Sequence, residues 1–174
     1  KAIAAATDLP LVLYSIPGRC GIEIAIETVK RLAEACPTIV GIKEAGGNAD
    51  RVSQLRAAMG DGFTILSGDD SLTLPFMSVG AHGVVSVASN VIPKEVSQMV
   101  KAFAAGKLDA ALKLHAKYYP LFKDLFIETN PVPVKAALAM MGFCEEEYRL
   151  PLVPMAARNR DALKAALKGC GVLK

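Results

Sequence analysis

An α/β fold built on a parallel sheet is what this sequence predicts, and three observations predict it. Four short runs rich in Val, Ile and Leu follow one another. Each is apolar on both faces, as parallel strands covered on both sides are. Segments with apolar residues at helical spacing separate them, so strand and helix alternate four times; beyond Gly106 only helical patterns remain.

The opening "KAIAAATDLP" has no Met and no signal-peptide pattern. Ala2, Ile3, Ala4, Ala5 and Ala6 look like the last turns of a helix, closed by Thr7 and Asp8. A domain rarely begins there, so chain upstream of Lys1 is expected. The first strand is "LPLVLYS", residues 9–15, followed by a tight turn at Pro17, Gly18 and Arg19. "AIETVKRLAEAC" then sets Ile26, Val29, Leu32 and Ala33 on one helical face. The second strand is "TIVGIKE", residues 38–44, and the helix after it carries Val52, Leu55 and Met59. "FTILSG", residues 63–68, is the third strand. "SLTLPFMSVG" starts after two aspartates, which suit a helix N-terminus. "GVVSVAS", residues 83–89, is the fourth strand, and the helix after it opens with Pro93 near its first position and ends at Gly106. Right-handed crossovers place such strands side by side with helices outside. Three further helices follow, within "LDAALKLHAKYYPLFKDLF", "NPVPVKAALAMMG" and "RDALKAALKG".

Four βα units make either an open four-stranded sheet or half of a (β/α)8 barrel, which needs eight. The abrupt start favours the second half of such a TIM barrel. The organisation expected is a half-barrel over residues 1–106 and a C-terminal three-helix region over 107–174.

Composition narrows the function. The 174 residues are 52% hydrophobic and carry a formal net charge of +3. That charge is too mild for a nucleic-acid partner, and no basic run is interleaved with aromatics. No apolar stretch approaches a membrane span. Cys20, Cys36, Cys144 and Cys170 show no CxxC and no metal-ligand spacing. They read as reduced thiols of a cytoplasmic protein. His82 and His115 have no ligand spacing and read as structural or surface residues. No P-loop or GxGxxG is present, so no nucleotide cofactor is expected, and no other cofactor or metal.

Lys43 ends its strand at the C-terminal edge, where parallel β/α folds gather their active sites. Alternation puts Ile39, Gly41 and Lys43 on one face and Val40, Ile42 and Glu44 on the other, with Gly41 leaving space beside the ammonium. A lysine at a strand end is commonly just solvated; a lysine amine kept neutral in an apolar setting forms a Schiff base with a ketone. Tyr14 ends the preceding strand, and a phenol reaching that amine can shuttle protons. Arg19 projects from the rim of the same end and suits a carboxylate. In "SGDD", Asp69 or Asp70 is expected to cap the next helix, and both argue against a phosphate site there.

"LYSIPGRCG", "IVGIKEAGG", "ILSGDD", "GAHGVVSVASN" and "NPVPVK" occur in the order and spacing of dihydrodipicolinate synthase. The chain therefore resembles that family, the 4-hydroxy-tetrahydrodipicolinate synthases of the pyruvate-dependent class I aldolase superfamily, from its first residues to about Pro154. The family pattern usually reads "YNVPGRT" where this chain has Ser15, Ile16 and Cys20, changes that spare Tyr14 and Arg19. The resemblance implies that Lys43 forms the Schiff base with pyruvate and that Tyr14 relays protons. It implies that Arg19 holds the carboxylate of aspartate semialdehyde, that Val85 contacts pyruvate through its backbone, and that Gly68 and Asp69 line the substrate entrance. It implies a lyase of the diaminopimelate route to lysine, working as a homo-oligomer, tetramer or dimer. The family's first four βα units, with a threonine pair, a tyrosine crossing a subunit interface and the lysine feedback site, are then expected before Lys1. The 174 residues alone are expected to be inactive. The alternatives are a sibling aldolase (N-acetylneuraminate lyase or a 2-keto-3-deoxy sugar acid aldolase) and a non-catalytic half-barrel module. Arg19 favours the synthase, because aspartate semialdehyde brings its own carboxylate.

Overall fold

The computed structural model describes residues 1–173. By its internal contacts the chain divides into two compact units, Lys1–Val85 and a second that starts at Ser86.

The first unit is a four-stranded parallel sheet in the order β1-β2-β3-β4. A single 3-10 turn, Ala4–Ala6, precedes β1 (Leu11–Ser15). The expected turn at Pro17 is instead one short helix, α1 (Pro17–Cys20), with proline at its start and Gly21 in the left-handed region at its end. Then come α2 (Ile26–Ala35), β2 (Ile39–Glu44), α3 (Ala49–Met59), β3 (Thr64–Ser67), α4 (Thr73–Ser78) and β4 (Gly83–Val84). Asn48 caps α3, its side-chain oxygen accepting the Asp50 N–H at 2.9 Å.

Helices α2, α3 and α4 pack on the sheet. Val29, Ile42, Val52, Leu55, Ile65 and Phe76 are wholly removed from solvent between them. Burying such a side chain contributes about 1.5–3 kcal/mol. Met59, Ile26, Leu32 and Ala33 line this core without being fully buried. Only this face of β1 and β2 is covered, however. Val12, Tyr14 and Val40 are exposed on the other, the face that a half-barrel turns toward the barrel interior.

The strict alternation expected in β2 also fails. Leu11 pairs with Ile39, but Val12 pairs with Gly41, so Val40 is an extra residue in the ladder. Such a bulge reverses the facing of everything before it relative to everything after it. Ile39 consequently shares the core with Ile42 and not a face with Gly41 and Lys43. Gly41 itself is demanded by β3, because a Cβ there would lie 2.6 Å from the Thr64 carbonyl oxygen.

The fourth strand is shorter than the expected 83–89. After Val84 the Val85 N–H still donates to the Ser67 carbonyl at 2.8 Å, and the chain then turns into a 3-10 segment, Ala88–Asn90. Serines cause the break. Ser86 Oγ accepts the Ser89 N–H at 2.8 Å, and Ser89 Oγ donates to the Ser86 carbonyl at 3.1 Å. Short hydroxyl side chains offer the backbone this alternative to a ladder.

The second unit is helical: α5 (Pro93–Ala104), α6 (Leu108–Asp124), α7 (Val132–Met140) and α8 (Ala157–Gly169). α5 packs on α6, and α8 packs on both α6 and α7. Leu121, Leu125, Ala136, Leu163 and Leu167 are fully buried. The Glu128 carboxylate fastens the start of α8, accepting the Ala156 N–H and the Asn159 side-chain amide, each at 2.9 Å. His115 lies between Tyr119 and Phe122 at 5.8 Å from each ring, and burial lowers its pKa. Among the described residues no helix is long and apolar enough to cross a membrane.

Candidate active site

The bulge at Val40 sets the register that matters. Past it, Tyr14 lies opposite Lys43 on the neighbouring parallel strand. Both side chains therefore leave the same face of the sheet, at the C-terminal ends of their strands. Lys43 Nζ stands 3.9 Å from the centroid of the Tyr14 ring. The ring's negative face attracts the ammonium and holds the otherwise flexible lysine stem in place. Lys43 is half-buried, and Tyr14 is 47% exposed.

Gly68 flanks the same lysine. Its N–H donates to the Glu44 carbonyl at 2.7 Å, continuing the ladder beyond β3. A Cβ at position 68 would lie 3.2 Å from Lys43 Cε and 2.6 Å from Ala45 Cβ. Asp69 follows, but it does not cap α4, whose N-cap is Leu72 without a side-chain bond. The Asp69 carboxylate instead accepts the Ser71 N–H and hydroxyl, each at 2.8 Å, and so shapes the turn before the helix. Asp70 is buried, and its carbonyl accepts the Thr73 hydroxyl at 2.9 Å. Val85, beyond β4, is exposed. Arg19 is exposed on α1, directly after β1.

Sequence reasoning overlooked a charged network on the opposite face of β2. Glu44 is 0% exposed and Arg51, in the first turn of α3, is 5% exposed. Arg51 Nε donates to Glu44 Oε2 at 2.8 Å, and another of its nitrogens lies 3.2 Å from Glu23 Oε2. The guanidinium also donates to the Ile24 carbonyl. Glu44 Oε1 accepts the Gly46 N–H at 2.7 Å. The available signal was Glu44 itself, two residues from buried Ile42. A carboxylate on a helix-covered face needs a cationic partner.

His82 has a structural role, with Nδ1 accepting the Ile65 N–H at 3.2 Å. The four cysteines are free thiols. Among the described residues no group of three or more His, Cys, Asp or Glu side chains could hold a metal ion.

Comparison with known proteins places this arrangement. The model of the dihydrodipicolinate synthetase family matches residues 1–170. The chain belongs to that family. A 4-hydroxy-tetrahydrodipicolinate synthase from Sulfurihydrogenibium sp. is 51% identical over 175 residues, a match covering all of this chain and 60% of the relative. The solved 4-hydroxy-tetrahydrodipicolinate synthase of Methylacidiphilum fumariolicum SolV superposes with a TM-score of 0.96 at 59% identity, over 98% of this chain and 57% of that one. The dihydrodipicolinate synthase of Acinetobacter baumannii, solved in complex with pyruvate and described as chloride inhibited, gives a TM-score of 0.94 at 42% identity, over 99% of this chain and 59% of that one. The chain thus spans about three fifths of the length of the dihydrodipicolinate synthases it matches.

Proposed function

We propose that the protein condenses pyruvate with aspartate 4-semialdehyde through a Schiff base on Lys43, giving 4-hydroxy-tetrahydrodipicolinate on the diaminopimelate route to lysine. The observation that carries this reading is Lys43 Nζ seated 3.9 Å from the Tyr14 ring, at paired positions on neighbouring strand ends. The pyruvate complex of the Acinetobacter baumannii relative supports the first substrate.

In this reading the neutral Lys43 amine attacks the ketone carbon of pyruvate, and water leaves as the imine forms. Loss of a proton from the methyl carbon gives an enamine, which attacks the aldehyde carbon and leaves an imine on Lys43. The amino group of the aldehyde substrate then attacks that imine carbon, which closes the ring and expels the Lys43 amine. Tyr14 carries protons to and from these centres. Arg19 pairs with the carboxylate of the aldehyde substrate, a match of planar fork to carboxylate. Val85 meets pyruvate through its backbone, while Gly68 and Asp69 line the entrance. No cofactor enters the scheme. The enzyme works as a homo-oligomer in the cytoplasm, a setting in which its free cysteines stay reduced.

Sodium borohydride tests it. Reduction in the presence of pyruvate is expected to add a lactyl mass to the peptide holding Lys43. Lys43→Arg is expected to abolish the adduct, because a permanently charged guanidinium is no nucleophile. An adduct elsewhere, or none in an active preparation, overturns the reading.

A further inference from the structure

Arg51 joins two parts of the chain that the proposed chemistry must keep in register. On one side is β2, which carries Lys43. Its last residue, Glu44, is wholly buried and receives Arg51 Nε at 2.8 Å. On the other side is the segment that closes the loop holding Arg19. There Arg51 meets the Glu23 carboxylate at 3.2 Å and donates to the Ile24 carbonyl. The loop leaves β1 at Ser15, which is itself buried, and returns to it where the Ile24 N–H meets Ser15 Oγ at 3.4 Å. Between these points run Pro17–Cys20, none of them buried, and then Gly21 in the left-handed region. The loop's far end is thus held by the Ile24 side chain, which packs against the core, by the guanidinium and by one long hydrogen bond.

The turn after Lys43 is drawn into the same knot. Gly46 donates to Glu44 Oε1, and a Cβ on Gly46 would meet Glu44 Oε1 at 2.7 Å and Glu23 Oε1 at 2.8 Å. Both carboxylates therefore border one glycine, and the Arg51 cation between them offsets their mutual repulsion. A buried ion pair of this kind is weak evidence for added stability, since desolvation offsets the attraction. Its geometric content is greater. A planar fork spreads its donors over separate nitrogens in fixed directions and so reaches Glu44, Glu23 and a carbonyl at once, whereas a lysine gathers its donors on one nitrogen.

We propose that Arg51 is a positioning residue that sets the distance between the aldehyde-binding Arg19 and the Schiff-base Lys43, by tying the closing end of the Arg19 loop to β2. The inference rests on the function proposed above. It predicts a division of labour: pyruvate capture at Lys43 does not depend on Arg51, and capture of the carboxylate-bearing aldehyde depends on Arg51 through Arg19.

The test uses Arg51→Lys in the whole enzyme, with steady-state kinetics for both substrates and borohydride trapping of pyruvate. Expected are an unchanged pyruvate adduct at Lys43 and a KM for aspartate semialdehyde raised about 10–100-fold, as an ångström-scale misplacement produces. The penalty should vanish in an Arg19→Ala background, because residues acting through one another are not additive. A residue that merely stabilised the fold would add its penalty to that of Arg19→Ala. If Arg51→Lys does not fold, Glu23→Gln decides. It alters only the half-exposed loop end of the tie and should shift the aldehyde KM in the same direction with trapping intact. A folded variant with an unchanged aldehyde KM, or with additive penalties, overturns the proposal. Failure of the unsubstituted enzyme to trap pyruvate overturns the function itself, so the two failures are told apart.

Discussion

Adding one methyl group at position 68 probes the packing behind Lys43. In Gly68→Ala the new Cβ would lie 2.6 Å from Ala45 Cβ and 3.2 Å from both the Glu44 carbonyl oxygen and Lys43 Cε. Carbon atoms rest at about 3.5–4.0 Å, so the first contact is roughly 1 Å too short. Neither methyl can rotate away, because each is fixed to its backbone. The backbone must therefore shift at Ala45, and the lysine stem, 3.2 Å from the new carbon, is pushed aside with it. Overpacking of this kind costs about 1–3 kcal/mol. For a chain of this size each kcal/mol lowers Tm by about 2–4 °C, so a fall of about 2–12 °C is expected. Displacing the amine from the Tyr14 ring should slow pyruvate capture at least about tenfold, within the range that ångström-scale misplacement produces. Circular dichroism melting and the rate of the borohydride-reduced adduct, read by intact mass, measure the two effects. Gly62→Ala serves as the control, because nothing lies within 4 Å of its Cβ position. An unchanged Tm together with an unchanged trapping rate would refute the contact between Gly68 and the lysine stem.

Three other outcomes are expected. Tyr14→Phe keeps the ring under Lys43 Nζ and should fold normally, yet lose about 10²–10⁴-fold in turnover; full activity would remove Tyr14 from the proton path. Arg19→Ala should raise the KM for the aldehyde while leaving pyruvate trapping intact, and loss of trapping in a folded variant would show the residue misplaced. Tyr148 has its pKa pushed from 10.0 up to about 12, first by burial and then by its bond to Glu146. A raised folded-state pKa gives stability that is whole below pH 10 and fades as pH climbs toward 12. Denaturation at stepped pH should show that decline, and Tyr148→Phe should flatten it.

Much of the fold was legible because its signals are local. Apolar runs marked β1, β2 and β3 to within two residues, and helical spacing found Val29, Val52 and Leu55, all of which the structure buries completely. Proline at the start of α5 read correctly as a helix opening. The misses have physical causes of longer reach. Periodicity cannot show a bulge, so Ile39 was given the wrong face. The apolar residues of "GVVSVAS" outweighed its serines, which in fact end the strand by bonding to each other. Asp69 looked like a helix cap because aspartate before an apolar run usually is one; here the preceding turn claims its carboxylate. Lys43 and Tyr14 were readable as a pair once each was assigned to a strand end, since neighbouring parallel strands align their ends. Arg51 was not readable, because its partners at positions 23, 24 and 44 converge only after the crossover through α2.

The extra residue at position 40 makes the chemistry depend on arithmetic. Were Val40 paired instead of bulged, the ladder begun at Leu11 and Ile39 would set Tyr14 opposite Ile42 and turn the amine toward the helices. Because Val40 has no partner in the ladder, its loss would leave Tyr14 opposite Lys43, whereas an added residue would have to be taken up by a wider bulge to keep that pairing. The bulge is thus a spare place in the strand: it sets which face the amine leaves by, and it is where a change of length can be absorbed.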